Sequence, residues 1–175
     1  MYLNYHLDRL SFLVIDDNAY MRRIIRSILH GVGVRNVFEA EDGASGFEAM
    51  THYSPDIVIL DMMMPIFDGL EFLNLIRSPT NEHAFIPIIV ISAHLEADKI
   101  MAARNAGANE FLAKPVSSDQ LMKRILSVIE RPRPFVNTPN YFGPCRRRTH
   151  KPFKGDERRL NIDEKFMVPI SSKSG

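Results

Sequence analysis

"FLVIDDNAYMRR", Phe12 to Arg23, decides how this chain is read. Four apolar residues, Phe12-Leu13-Val14-Ile15, run directly into two adjacent carboxylates, Asp16 and Asp17. An apolar run this short, with β-branched members, reads as a buried strand. A helical pattern follows at once. Met21, Ile24, Ile25, Ile28 and Leu29 fall at i, i+3, i+4, i+7 and i+8, one face of a helix. Charge next to buried apolar surface is costly unless something compensates it. The two acids therefore mark the mouth of a strand, where solvent or a ligand can reach them.

The same alternation continues outward. "NVFEA" (36–40), "DIVIL" (56–60), "IPIIVIS" (86–92) and "EFLAK" (110–114) read as four more strands, with helical patterns between them. Asp68-Gly69-Leu70-Glu71 places an acid at a helix cap and Glu three residues later, as in a capping box. Gly107 follows "KIMAARNA" as a helix C-terminal glycine. Ser117-Ser118-Asp119 precedes a last helix with Leu121, Ile125, Val128 and Ile129 on one face. Strand then helix, five times over, implies a parallel sheet covered by helices on both faces. Right-handed crossovers leave few topologies. The predicted fold class is α/β, a doubly wound (βα)5 sheet.

In such a sheet ligands bind outside the carboxyl ends of the strands, at the switch point. Asp16 and Asp17 end strand one, Asp61 ends strand three, Ser92 strand four, and Lys114 strand five just before Pro115. With a strand order of 2-1-3-4-5, all five side chains converge on one rim. Singly, each has a plain reading: a helix cap and a solvated acid, a loop-capping acid, a strand-end serine, a surface lysine. Their coincidence at matching strand ends favours a site. Crowded carboxylates repel, and a divalent cation removes that penalty. Oxygen ligands suit Mg²⁺, which uses one or two carboxylates, waters and phosphate oxygens. Lys114 adds a point charge for Asp61 or a phosphate oxygen, and Ser92 a hydroxyl donor. There is no glycine loop of the kind that cradles phosphates. Phosphoryl transfer onto a carboxylate fits best, because aspartate is an established nucleophile for it.

Composition narrows the alternatives. No apolar run approaches the roughly 20 residues of a membrane helix. The opening "MYLNYHLDRLSFLVIDD" lacks a basic segment and a cleavage site, so a cytoplasmic protein without membrane insertion is expected. The single cysteine, Cys145, excludes an intramolecular disulfide and a multi-cysteine zinc site. The six histidines show no ligand spacing. Met62, Met63 and Met64 read as adaptable packing, since thioethers are poor ligands for hard Mg²⁺. An aspartyl phosphatase would place a second acid two residues after its nucleophile, and Asp61-Met62-Met63 has none. A flavin-binding domain would need a hydroxyl- and glycine-rich loop after strand one.

Asp16-Asp17, Asp61 with "MMMPIFDG", Ser92-Ala93 and Lys114-Pro115 together resemble the receiver domain of bacterial two-component response regulators, the CheY-like domains. The resemblance covers about residues 9–130. The strand order 2-1-3-4-5 is taken from this resemblance. By the same resemblance Asp61 is the phosphoacceptor and no turnover enzyme is implied, only Mg²⁺-dependent self-phosphorylation. Asp16, Asp17, Asp61 and the backbone carbonyl of Met63 form the metal site, Asp16 through water. Lys114 pairs with the phosphate, Ser92 is the switch hydroxyl and Ala93 keeps the site open. Phe111 stands at the switch aromatic and, as Phe, has no phenolic hydrogen bond to give. The implied function is that of a single-receiver response regulator. It would take its phosphoryl group from a sensor histidine kinase or histidine phosphotransferase, and signal through altered protein interactions. Lys114 precedes proline and is held extended, and its peptide bond to Pro115 is a candidate for cis.

Charge divides the chain. Residues 1–130 hold 11 Lys/Arg and 17 Asp/Glu, a net of −6, and residues 131–175 hold 11 and 4, a net of +7. A receiver domain over 1–130 and a basic, irregular Pro/Arg-rich tail over 131–175 are expected. "RPRPFVNTPN" (131–140) reads as turn-like and poor for helix or strand. Two tail segments echo each other at an offset of 12: Tyr141, Gly143 and Arg146-Arg147, then Phe153, Gly155 and Arg158-Arg159. This aromatic-x-Gly-x-x-Arg-Arg pattern leaves several roles open. It suits single-stranded nucleic acid, through stacking and phosphate contacts. It suits an acidic protein surface, including the receiver itself, or an anionic lipid, or a solvating extension. No standard DNA-binding module fits in these residues.

Overall fold

The computed structural model describes residues 6–93 and 96–146. After a short 3₁₀ turn, Leu7–Arg9, the elements run β1 (Ser11–Ile15), α1 (Ala19–Gly31), β2 (Asn36–Ala40), α2 (Gly43–Tyr53), β3 (Ile57–Asp61) and α3 (Gly69–Ile76). They continue with β4 (Ile88–Ser92), α4 (Ala97–Asn105), β5 (Glu110–Ala113), α5 (Ser118–Glu130), β6 (Phe135–Thr138) and β7 (Tyr141–Pro144). The first five strands form one parallel sheet in the order β2-β1-β3-β4-β5.

Period-two alternation sorts the strands into two cores. Phe12, Val14, Ile57, Ile59, Ile89 and Ile91 face Ile25 and Leu29 of α1 and Leu121 and Ile125 of α5. Leu13, Ile15, Val58, Leu60, Ile88 and Val90 face Met50 of α2, Phe72, Leu73 and Ile76 of α3, and Ala103 of α4. Helices thus cover both faces, and a slip of one residue in β1 or β3 would exchange the two cores. The helix starts follow their caps. Asn18 accepts from the Tyr20 and Met21 amides, Asp42 and Asp68 form capping boxes with Ser45 and Glu71, and Ser117 caps α5. Gly107 ends α4 at a φ of 97°, a left-handed conformation that glycine adopts without strain. The Lys114–Pro115 bond is cis.

Two sequence expectations shift. Strand four begins at Ile88, because Pro87 has no amide to give; its carbonyl accepts from the Val58 amide at 2.9 Å. More substantially, residues 135–144 form an antiparallel hairpin where no strand was expected. The prolines sit where a ladder tolerates them: Pro139 in the two-residue turn, Pro134 before β6, and Pro144 at the end of a ribbon strand. A two-stranded ribbon is marginal alone. This one is held by aromatic packing, with Phe135 buried against Phe85 at 4.9 Å between ring centroids and Phe142 at 5.5 Å from Phe85. The second copy of the tail pattern, Phe153 to Arg159, lies outside the described residues.

Candidate functional site

Each acidic side chain reaches the rim because a buried strand ends beneath it. β1 is paired on both sides, with β2 and β3. Asp16 continues its ladder by donating its amide to the Ala40 carbonyl at 3.2 Å. Its side chain is buried, with Oδ1 accepting from the Asn18 amide at 2.9 Å and Oδ2 from Lys114 Nζ at 2.9 Å. Asp61 ends β3 and is only 4% exposed. Its Oδ1 lies 3.1 Å from the same Lys114 Nζ, and the Met63 amide donates to its carboxylate. Asp17 is exposed. Carboxylate oxygens of Asp16, Asp17 and Asp61 all lie within 4.8 Å of one another.

Lys114 enters from β5, where its amide donates to the Ser92 carbonyl at 2.8 Å. The ladder sets Asp61 opposite Ile91, so Ser92 lies one residue past it and 2% exposed. Phe111, by contrast, is not at the rim. It is half-buried against the core beneath α3 and α4, with Val90 as its partner on β4. The Met63 side chain is 51% exposed beside the acids.

The electrostatics are those of a site short of positive charge. Burial pushes the Asp61 carboxyl above the usual carboxylate range; Lys114 opposes this and the Asp16 charge adds to it. Burial acts to lower the Lys114 ammonium, but its bonds to Asp16 and Asp61 outweigh that and hold it above the ordinary lysine value. One cation thus spans two buried acids, and Asp17 brings a third carboxylate to the edge. Hard oxygen donors in such a cluster fit Mg²⁺.

The sequence names Asp16, Asp17, Asp61, Ser92 and Lys114 as candidates, and the structure adds a brace on Asp16 that was not among them. Arg22 Nη1 donates to the Asp16 carbonyl at 2.7 Å, and Arg22 Nε donates to Glu39 at 3.3 Å. Arg26 also pairs with Glu39, at 2.8 Å. The signal in the sequence was an arginine one helical turn past the Asn18 cap, beside the apolar stripe of α1.

Residues 12–126 match the family model of the response regulator receiver domain. The chain belongs to that family. The receiver is 30% identical to the chemotaxis protein CheY of Pseudomonas aeruginosa over 123 residues, which is 70% of this chain and 98% of that protein. It is 36% identical over 121 residues to the KDP operon transcriptional regulatory protein KdpE of Escherichia coli, covering 69% of this chain. That match spans 52% of KdpE, about half its length. Among solved structures, Vibrio cholerae CheY4 superposes with a TM-score of 0.63 at 26% identity, over 68% of this chain and 98% of that one. The Francisella response regulator 1452 receiver domain gives 0.63 at 25% identity, over 70% and 98%. Receiver domains bind Mg²⁺ at an acidic pocket, and the structure brings three carboxylates, those of Asp16, Asp17 and Asp61, together in a cluster that could hold a metal ion. Among the described residues no helix is long and apolar enough to cross a membrane.

Proposed function

We propose that Asp61 is the phosphoacceptor of a phosphorelay response regulator, fed by a sensor histidine kinase or histidine phosphotransferase. The observation that carries this is the single ammonium of Lys114 shared between Asp16 and Asp61 at 2.9 and 3.1 Å, with Asp17 alongside. A structural ion pair needs one acid per lysine; three acids around one lysine leave negative charge that a cation and a phosphoryl group would share. A carboxylate oxygen of Asp61 attacks phosphorus on the donor imidazole. The P–N bond breaks as the acyl phosphate O–P bond forms, and the imidazole leaves with the electron pair. Asp16, Asp17, Asp61 and the Met63 carbonyl would hold Mg²⁺, which supplies charge neutralisation to the transferring oxygens. Lys114 then exchanges a carboxylate for a phosphoryl oxygen, and the Ser92 hydroxyl donates to another. The added charge of about −1.5 to −2 biases an existing equilibrium of the β4–β5 region, with Phe111 in its core. The output is a change in protein interactions.

The test uses the full chain with Mg²⁺ and acetyl phosphate. Wild-type protein gains stoichiometric, acid-labile phosphate, and Asp61→Asn gains none. An Asp61→Asn protein that is still labelled removes Asp61 from the role.

A further inference from the structure

The end of the sheet opposite the acidic rim is organised around a buried cation that the phosphoacceptor chemistry does not use. Arg77 follows α3 and is 6% exposed. Its guanidinium donates to neutral oxygens: the carbonyls of Gly107 (2.9 Å), Ala84 (2.6 Å) and Ile86 (2.8 Å) and the Asn109 side-chain oxygen (3.0 Å). Asn109 Oδ1 also accepts from the Ile88 amide at 3.0 Å. These partners all lie just before β4 or β5 or at the first residue of β4, so one arginine clamps the feet of both strands. Burial pushes its guanidinium down to about 9.

The hairpin closes this clamp. Phe135 lies over the guanidinium, 5.3 Å from its ring centroid. The aromatic-x-Gly-x-x-Arg spacing of the tail acquires a physical meaning here. Tyr141 folds back to donate to the Pro144 carbonyl at 2.7 Å. Gly143 leaves room for that: a Cβ there would lie 2.8 Å from the tyrosine oxygen and 3.3 Å from Gly107 Cα. Arg146 stacks on the ring of Tyr141, 4.0 Å from its centroid. The Arg146 carbonyl accepts from Arg104 at 2.8 Å, and its guanidinium reaches the Asn105 carbonyl at 3.4 Å, both at the end of α4. Arg133 lies 3.7 Å from Glu110, the first residue of β5.

We propose that the foot of β4 and β5 is a docking site for this aromatic-glycine-arginine segment, and that its occupancy is coupled negatively to phosphoryl binding at the rim. The coupling rests on the reading of Asp61 as phosphoacceptor. Ser92 and Lys114 stand at the heads of the two strands whose feet the hairpin clamps, a span of roughly 16 Å for five residues. In the arrangement seen, Lys114 bridges Asp16 and Asp61 while Arg77 and Asn109 tie the strand feet together. A phosphoryl group on Asp61 draws Ser92 and Lys114 toward itself. A close-packed sheet cannot absorb a relative shift of β4 and β5 locally, so the shift strains the Asn109 and Arg77 bonds that the hairpin covers. Closed clamp and undisturbed rim therefore support each other, and disturbing either weakens the other.

Linkage makes this testable, because coupling acts equally in both directions. In the full chain, amide hydrogen exchange of residues 135–144 is measured with and without Mg²⁺ and beryllofluoride, the phosphoryl mimic. The dissociation constant of beryllofluoride is measured by calorimetry in wild type, in Arg146→Gln, which loses the stacked cation at the surface, and in Phe135→Leu, which keeps an apolar side chain. The coupling predicts that beryllofluoride speeds hairpin exchange by about fivefold and that both variants bind it tighter by a comparable factor. Unchanged exchange with unchanged affinities, or changes of the opposite sense, overturns the coupling. A wild-type chain that takes up no beryllofluoride overturns the phosphoacceptor reading, and the coupling with it.

Discussion

At the scale of single residues, the rim sets two buried carboxylates, Asp16 and Asp61, on the one ammonium of Lys114. Asp61 is held above the ordinary carboxylate value, chiefly by burial. The native state therefore holds this proton more firmly than the unfolded chain does. Such a group contributes stability below its unfolded value, and that contribution is lost as pH rises through the raised native value. At neutral pH Asp61 thus weakens the fold. Asp61→Asn should melt at a higher temperature than wild type at pH 7, with the difference shrinking as pH falls through the raised native value toward the ordinary aspartate value of about 3.9. Calorimetric scans at the two pH values decide it. Arg22 acts one step removed from the acids, through the Asp16 carbonyl it grips at 2.7 Å. Arg22→Gln should weaken Mg²⁺ binding by about tenfold, the range seen when partners of metal ligands are removed. Titration calorimetry with Mg²⁺ alone measures this, and a melting temperature near that of wild type separates positioning from unfolding. These braces left only a weak signal in the sequence, because an arginine on a helix face is usually solvated. The acids themselves were legible, because two adjacent carboxylates at the end of an apolar strand are costly unless a ligand compensates them.

At the scale of elements, the loop between β3 and α3 is the tightest piece of construction. Gly69 starts α3 directly against the Asp61 carbonyl, and a Cβ there would also lie 2.8 Å from Met62 Cα. Both obstacles are backbone, which cannot rotate away. Gly69→Ala should cost about 1–3 kcal/mol or more by overpacking, read as a lower urea midpoint, and should weaken Mg²⁺ binding by displacing Asp61. In the same loop Ile66 is fully exposed at a φ of 71°, unusual for a β-branched residue. Strands and helices of the sheet were readable because each carries its own period, and four helix starts carry their own caps. The hairpin was not, because its strands are four residues each and bounded by proline. Its order comes from Phe85 and Arg77, residues far earlier in the chain, and no local pattern announces such a partner.

At the scale of the whole molecule, polar groups gather at both ends of the sheet. The rim gathers the heads of β1, β3, β4 and β5, and the foot of β4 and β5 carries a second layer contributed by residues 133–146. The family match ends at residue 126, yet Phe135 is 6% exposed beyond it. Phe135→Ala should lower unfolding free energy by about 3 kcal/mol, as for a buried phenylalanine in a core. A surface extension would lose less than about 0.5 kcal/mol, and equilibrium denaturation distinguishes the two. The charge asymmetry has a spatial counterpart, since two early basic residues of the tail, Arg133 and Arg146, lie against the receiver.

The aromatic cover over Arg77 bears on how this protein can be cut and spliced. A chimera that transplants the receiver onto a new output module needs a seam somewhere after the last helix. A junction at 131 would strip the lid from a guanidinium whose bonds all point inward, and would wet Phe85 as well. Moving the seam past Arg146 keeps that cation sealed.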